Sequence, residues 1–133
     1  MSIDVHTHAF HPKIAAKVVD QLERHYGIPP VGNGLLDDLL PRLDRAGIRH
    51  CAVHSAATVA AQVRPANDWA IDLQRQSDRV VAFGTLHPDF TDWAAELDRL
   101  AAAGIRGLKL HPDFQGFDLE DGRLRPWFDA MQG

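Results

Sequence analysis

The segment Asp4-Val-His-Thr-His8 carries the strongest chemical signal in the chain. Side chains alternate along an extended backbone, so Asp4, His6 and His8 share one face while Val5 and Thr7 take the other. Two neutral imidazoles a strand's width apart supply two corners of a zinc site, and a neighbouring carboxylate can fix their orientation from behind. The plain alternative is a pair of solvated loop histidines. Placement directly at a strand end, with further histidines at other strand ends, favours the metal reading. Lys109 is the next informative position, because a lysine between Leu108 and Leu110 in a buried strand must pair, extend its ammonium to water or be modified. It shares a face with His111. Lys109 can serve as an electrophilic or metal-bridging group and His111 as an acid or substrate clamp; the competing reading makes both strand-end residues satisfied by carboxylates.

His54 and His87 occupy equivalent strand ends but lack a partner at ligand spacing, which points to hydrogen-bonded structural roles and leaves them as candidates for supporting ligands from behind. Asp89 and Asp113 each follow His-Pro, a context that suits turn and helix caps better than catalytic acids. Cys51 lies in an apolar strand without electropositive neighbours and reads as inert core. Trp69, Trp93 and Trp127 fall on helical stripes and read as core as well.

These residues must be positioned by alternating elements. Residues 2–5 read as a strand, and Ile14, Val18 and Leu22 mark an amphipathic helix within 13–26. A turn-rich connector over 27–34 leads to a second stripe at Leu36, Leu39, Leu40 and Leu43, with Pro41 marking a kink or late start and Gly47 the stop. Strands are predicted at 48–54, 80–86 and 105–110. Between them, Asn67 or Asp68 caps a helix bearing Trp69 and Leu73, and Thr91 or Asp92 caps one bearing Trp93, Leu97 and Leu100. Leu124, Trp127, Phe128 and Met131 predict a last helix starting near Arg125-Pro126. This order is an α/β architecture of parallel βαβ units with right-handed crossovers, in one domain over 1–133 with an extra helix after the first strand. The stretch 46–54 echoes 103–111, each a helix stop followed by a strand ending in histidine. In parallel α/β folds the carboxyl ends of strands are where ligands bind.

Composition narrows the function classes. Fourteen Lys and Arg against eighteen Asp and Glu give a formal charge of -4, with the basic residues scattered, so a nucleic-acid partner is not expected. No run approaches the roughly 18 apolar residues of a membrane span. One cysteine allows no internal disulfide framework, and the first residues lack signal-peptide character, so the expected compartment is the cytoplasm. A chain of this length suffices for one core, leaving roughly 7,000 Å² exposed when folded. Eight histidines are hard to attribute to packing alone, because imidazole is a ligand and proton carrier near neutral pH.

The segments DVHTHAFHP at 4–12, VAFGTLHPD at 81–89 and GIRGLKLHPDFQGF at 104–117 together resemble the metal-dependent amidohydrolase superfamily. The nearer branch is the amidohydrolase-2 group, which includes decarboxylases of the aminocarboxymuconate-semialdehyde type and related hydrolases. The resemblance implies a TIM-type (β/α)8 barrel, with this chain supplying the amino-terminal half. It implies His6 and His8 as ligands of a divalent metal, usually Zn2+, and puts Lys109 on the strand where binuclear members carry a carboxylated lysine. It also implies ligands from strands five, six and eight, beyond the four βα units present, since closing a barrel takes about 250 residues. The expectation is therefore a fragment, or a half-barrel that forms a homodimer or pairs with a separate carboxyl-terminal half, with the edges of the first and fourth strands open.

The implied function is metal-dependent hydrolysis of a small carboxylate or carbonyl compound. His6 and His8 would hold the metal, while Lys109 and His111 stabilise charge developing on the substrate. The general base belongs to strand eight, so the chain alone is expected to be poorly active. Decarboxylation by the same ligands is one alternative. A metal-dependent phosphoesterase with its own HxH strand is another, although Ala9-Phe-His-Pro12 and the Lys-Leu-His-Pro segment do not suit it. A non-catalytic half-barrel module is the third.

Overall fold

In the computed structural model, which describes residues 2–132, the apolar stretches form β1 (Ile3–Thr7), β2 (His50–Val53), β3 (Val80–Ala82), β4 (Gly84–Thr85) and β5 (Leu108–Lys109). The helices are α1 (Ala15–Tyr26), α2 (Leu36–Arg45), α3 (Val63–Gln76), α4 (Trp93–Ala102), α5 (Pro112–Gln115) and α6 (Arg125–Met131). β1, β2 and β3 pair in parallel in that order, and β4 pairs in parallel with β5. The alternation of strand and helix is thus the expected α/β pattern. Two helices separate β1 from β2, and the second runs through Pro41 rather than starting at it.

The third expected strand differs in an informative way, because one extended segment changes neighbours midway. The Phe83 N–H donates to the Val53 carbonyl at 2.9 Å, while the next amide, Gly84 N–H, donates to the Gly107 carbonyl at 2.9 Å. Residues before the switch therefore belong to β2 and those after it to β5. Glycine is required at the switch: a Cβ on residue 84 would lie 2.6 Å from Leu100 Cδ1 and 3.2 Å from Asn67 Oδ1, so the bare backbone is what lets α3 and α4 press against the strand. The fourth strand is shorter than the expected 105–110. Ile105 N–H instead closes α4 on the Leu100 carbonyl at 3.0 Å, after Gly104 at φ 83°, which leaves Leu108 and Lys109 to pair.

Asn67 is not a cap. α3 begins four residues earlier, with Pro65 tolerated in its first turn, and Asn67 sits inside the helix with no solvent exposure. Its Oδ1 accepts from Thr85 N–H at 2.7 Å, and its Nδ2 donates to the Thr85 carbonyl at 3.0 Å and to Glu96 Oε1 at 2.7 Å. A single side chain thereby satisfies both backbone groups of Thr85. Glu96 on α4 is equally buried and accepts two bonds from Arg99, at 2.7 and 3.0 Å, and Arg99 reaches on to Asp68 at 2.7 Å. Burial alone would raise the Glu96 carboxyl pKa; the Arg99 and Asn67 bonds outweigh it and hold it below the ordinary value. Asp92, expected as the cap of α4, stands at the cap position without a capping bond and pairs with Arg64.

Apolar packing is divided between two clusters. One joins Leu36, Leu43, Val53, Ile71, Leu73 and Leu100 across β2, β3 and the helices α2 to α4. The other gathers Val63, Leu86, Phe117, Leu124 and Trp127 under the carboxyl-terminal segment, with Trp127 only 1% exposed. The β1 side is open: Val5 is 70% exposed, and the chain exposes 8066 Å², more than the roughly 7,000 Å² of a closed domain of this size. No helix among the described residues is long and apolar enough to cross a membrane.

Glu96→Ala leaves the Asn67 amide and part of the Arg99 guanidinium without an acceptor inside the protein. We expect a loss of about 3–5 kcal/mol in urea unfolding. An unchanged midpoint would mean that the network contributes packing alone.

Candidate metal centre

The site is set by how β1 lies on β2. Ile3 pairs with His50 and Asp4 with Cys51, and after an irregularity in the ladder Thr7 pairs with Val53, so both strands end level. Three bonds lock those ends: His54 N–H donates to the Thr7 carbonyl at 3.2 Å, Thr7 Oγ1 donates to the Ala52 carbonyl at 2.7 Å, and His8 Nδ1 meets the His54 carbonyl at 2.7 Å. His54 is thereby carried beside the His-x-His pair. One ring nitrogen from each of His6, His8 and His54 lies within 4.8 Å of the others. The ring centroids are 5.2 Å apart for His6 and His8, 4.6 Å for His6 and His54, and 5.0 Å for His8 and His54.

The arrangement suits metal ligation by its protonation as well as its shape. Because a carbonyl only accepts, His8 must carry its proton on Nδ1, which leaves the Nε2 lone pair free. His54 is buried, at 6% exposure, and its Nδ1 is the one buried side-chain nitrogen or oxygen among the described residues without a hydrogen-bond partner. An orphaned imidazole nitrogen in such a place is what a missing cation explains. Burial pushes the His54 pKa down to about 4, with the charges of His8, Lys109 and His6 adding to the effect. Dense surroundings lower His8 too, against the opposing pull of the His54 carbonyl. Both rings are therefore neutral at pH 7, the form that binds a metal.

Sequence spacing found His6 and His8 but not His54, which was expected to be structural. The signal that bears on His54 is the echo between 46–54 and 103–111, which places a histidine at the end of each strand without saying which ends meet. Asp4, expected to steer the imidazoles, does not: its Oδ1 accepts from the His6 backbone N–H at 3.0 Å, and a backbone carbonyl orients His8 instead. Lys109, paired in register with Thr85, is near enough for its charge to lower both His8 and His54, and the His111 charge also reaches His8. Neither Lys109 nor His111 belongs to the group of ring nitrogens that converge, which is His6, His8 and His54. His111 caps α5, its Nδ1 accepting from Phe114 N–H at 3.4 Å, and its ring stacks on Phe114 at 4.3 Å.

Other candidates fall outside the cluster. His87 is buried with Nδ1 accepting from Asp89 N–H at 3.2 Å, and Asp89 pairs with Arg123 at 2.6 Å, which makes both structural. Asp113 lies in the first turn of α5. Cys51 is wholly buried, and burial pushes its thiol pKa up, so it is not a thiolate at neutral pH. Trp69 Nε1–H donates to the Ala9 carbonyl at 2.8 Å, pinning the chain as it leaves the histidine pair. Two surface grooves, one between α3 and α4 and one along residues 116–121, contain no histidine.

Comparison with known proteins agrees with this geometry. The family described as Amidohydrolase matches over residues 3–133. No curated protein matches the chain. Among solved structures, the probable 2-pyrone-4,6-dicarboxylic acid hydrolase of Acinetobacter baumannii superposes with a TM-score of 0.62 at 17% identity. The match covers 98% of this chain and 45% of that one, so the chain spans about half the length of its structural neighbour and has the fold of half a barrel.

The depressed His54 pKa has a signed consequence for the metal-free protein. The unfolded ring titrates near 6.5 and the folded one near 4, so between those values the unfolded state binds more protons. Stability is therefore fully retained above pH 6.5 and falls as the pH drops through the window. His54→Asn should flatten thermal midpoints measured from pH 7 to pH 4 in chelator; an equally steep decline in the variant would assign the slope to other groups.

Proposed function

Because the chain belongs to the amidohydrolase family, we propose that it carries half of the active site of a metal-assisted hydrolase acting on a small carboxylate or carbonyl compound. The observation that supports this best is the convergence of His54 on the His6 and His8 pair, with a buried ring nitrogen left without a partner. His6, His8 and His54 would hold the ion. Three imidazoles and no carboxylate favour zinc among the common divalent ions over magnesium or calcium, which prefer oxygen. Bound there, a divalent ion supplies Lewis acidity, polarising a substrate carbonyl and lowering the pKa of water toward about 7.

The chain's own residues do the rest. His8 is fixed by its Nδ1 bond to the His54 carbonyl, so its lone pair needs no reorientation. The Lys109 ammonium and the free edge of the His111 ring are donors for a substrate oxygen as negative charge accumulates on it. Neighbouring cations also keep the imidazoles unprotonated. A carboxylate-bearing substrate fits a site rich in cations and poor in acids, and the structural neighbour bears the name of a dicarboxylic acid hydrolase and was crystallised with citric acid. That name favours hydrolysis over decarboxylation, which the same residues could also serve.

Metal analysis of the gel-filtered chain tests the proposal. About one equivalent of zinc is expected per site, falling about tenfold or more in both His54→Ala and the double variant His6→Ala/His8→Ala. Unchanged metal content in either would remove the histidine cluster as the site. Incubation with a pyrone lactone and with a β-unsaturated carboxylate then separates ring opening from loss of carbon dioxide.

A further inference from the structure

Gln115 is the least expected buried polar residue near the site. It is 5% exposed and lies at the end of α5, a helix of four residues too short to be stable alone. Its side-chain amide is fully used. Nε2 gives one bond to the Ala57 carbonyl at 2.8 Å and another to the Leu86 carbonyl at 2.6 Å, while Oε1 accepts from the His111 backbone N–H at 2.7 Å. Those three backbone groups lie beyond the ends of β2, β4 and β5, where the ladders have already stopped. One side chain therefore joins three segments that no backbone pairing holds together.

We propose that Gln115 is a positioning residue that fixes the backbone, and through it the ring orientation, of His111 just beyond the end of β5. The backbone of His111 is held on both sides, its N–H by Gln115 Oε1 and its carbonyl by Gln115 N–H at 2.9 Å. The ring then has two fixed contacts, the Phe114 N–H at Nδ1 and the Phe114 ring beneath it. Nε2 is the ring nitrogen left outside these contacts. Ala57 and Leu86 follow β2 and β4 and are buried, so the bonds to their carbonyls tie His111 to the segments that continue those two strands, the first of which leads through His54. The inference rests on the proposed function only in taking His111 as a substrate-facing group; the link between Gln115 and His111 is measurable without metal or turnover.

The test is amide hydrogen exchange and histidine ring NMR on the full chain. In the unaltered protein the His111 amide, which has no backbone acceptor, should exchange as slowly as the ladder amides; fast exchange there overturns the proposal outright. Gln115→Met keeps the volume and removes all three bonds, and should speed His111 exchange about tenfold or more relative to Thr85, with the His111 ring signals shifting while those of His8 and His54 stay. Gln115→Glu retains an oxygen for the His111 amide and should keep its exchange within about threefold of the unaltered chain. If all three histidines shift together in Gln115→Met, or if Gln115→Glu fails to rescue, Gln115 is packing and the proposal is wrong.

Discussion

Everything at the histidine cluster depends on the parallel register of β1 against β2. Thr7 paired with Val53 brings the two strand ends level, and the ladder irregularity just before it supplies the adjustment. Shifted by one residue, the pairing would turn His6 and His8 to the opposite face of β1 and separate them from His54. The register is protected by a side chain as well as by the ladder: Thr7, buried at 7% exposure, spends its hydroxyl on the Ala52 carbonyl. The His8 bond to the His54 carbonyl then uses that register to select a tautomer. Strand pairing and ligand chemistry are thus one interaction seen at two scales.

Farther along the sheet the same problem is solved with amide side chains. Backbone ladders are short there, with two residues in β4 and two in β5, so they cannot fix the strand ends by themselves. Asn67 replaces a neighbouring strand for Thr85, and the Thr85 hydroxyl reaches the Lys109 carbonyl at 2.9 Å. Gln115 does the equivalent just beyond the ends of β2, β4 and β5. Carboxamides suit this task because each carries a donor and an acceptor without a charge that burial would penalise. Where a charge is buried, at Glu96, it is matched by Arg99 and Asn67, whose bonds tie α3 to α4 behind the strand.

What the sequence revealed follows from the range of each interaction. Alternation within Asp4 to His8 is local, and His6 and His8 do lie together, although an irregularity interrupts the ladder between Asp4 and Thr7 and Asp4 is not in the group. The helices at Ile14, Leu36 and Leu124 were legible for the same reason, since a stripe needs only its own residues. His54 was not, because its role depends on which strand lies beside β1 and in what register, a relation between residues 46 positions apart. Asn67 was misread since a capping residue and a buried network residue look alike until a partner is known, and Thr85 lies 18 residues away. The break at Phe83 was marked in the sequence only by Gly84, a residue equally consistent with a bulge; it is the change of hydrogen-bond partner that separates the two halves.

The charge of the cluster carries the argument furthest toward a ligand. The three residues that can share a cation are all imidazoles, and the carboxylate of Asp4, on the same strand, is engaged by a backbone amide. In the proposed reading, a divalent ion held there keeps its full charge, with Lys109 and His111 adding positive potential beside it. Sites built with carboxylates neutralise their ion and accept neutral substrates readily. One built from imidazoles leaves two positive charges to be met by whatever binds. An anionic oxygen ligand relieves it in the ground state, and an oxyanion forming during hydrolysis relieves it further, which is the direction in which a site must discriminate to accelerate a reaction.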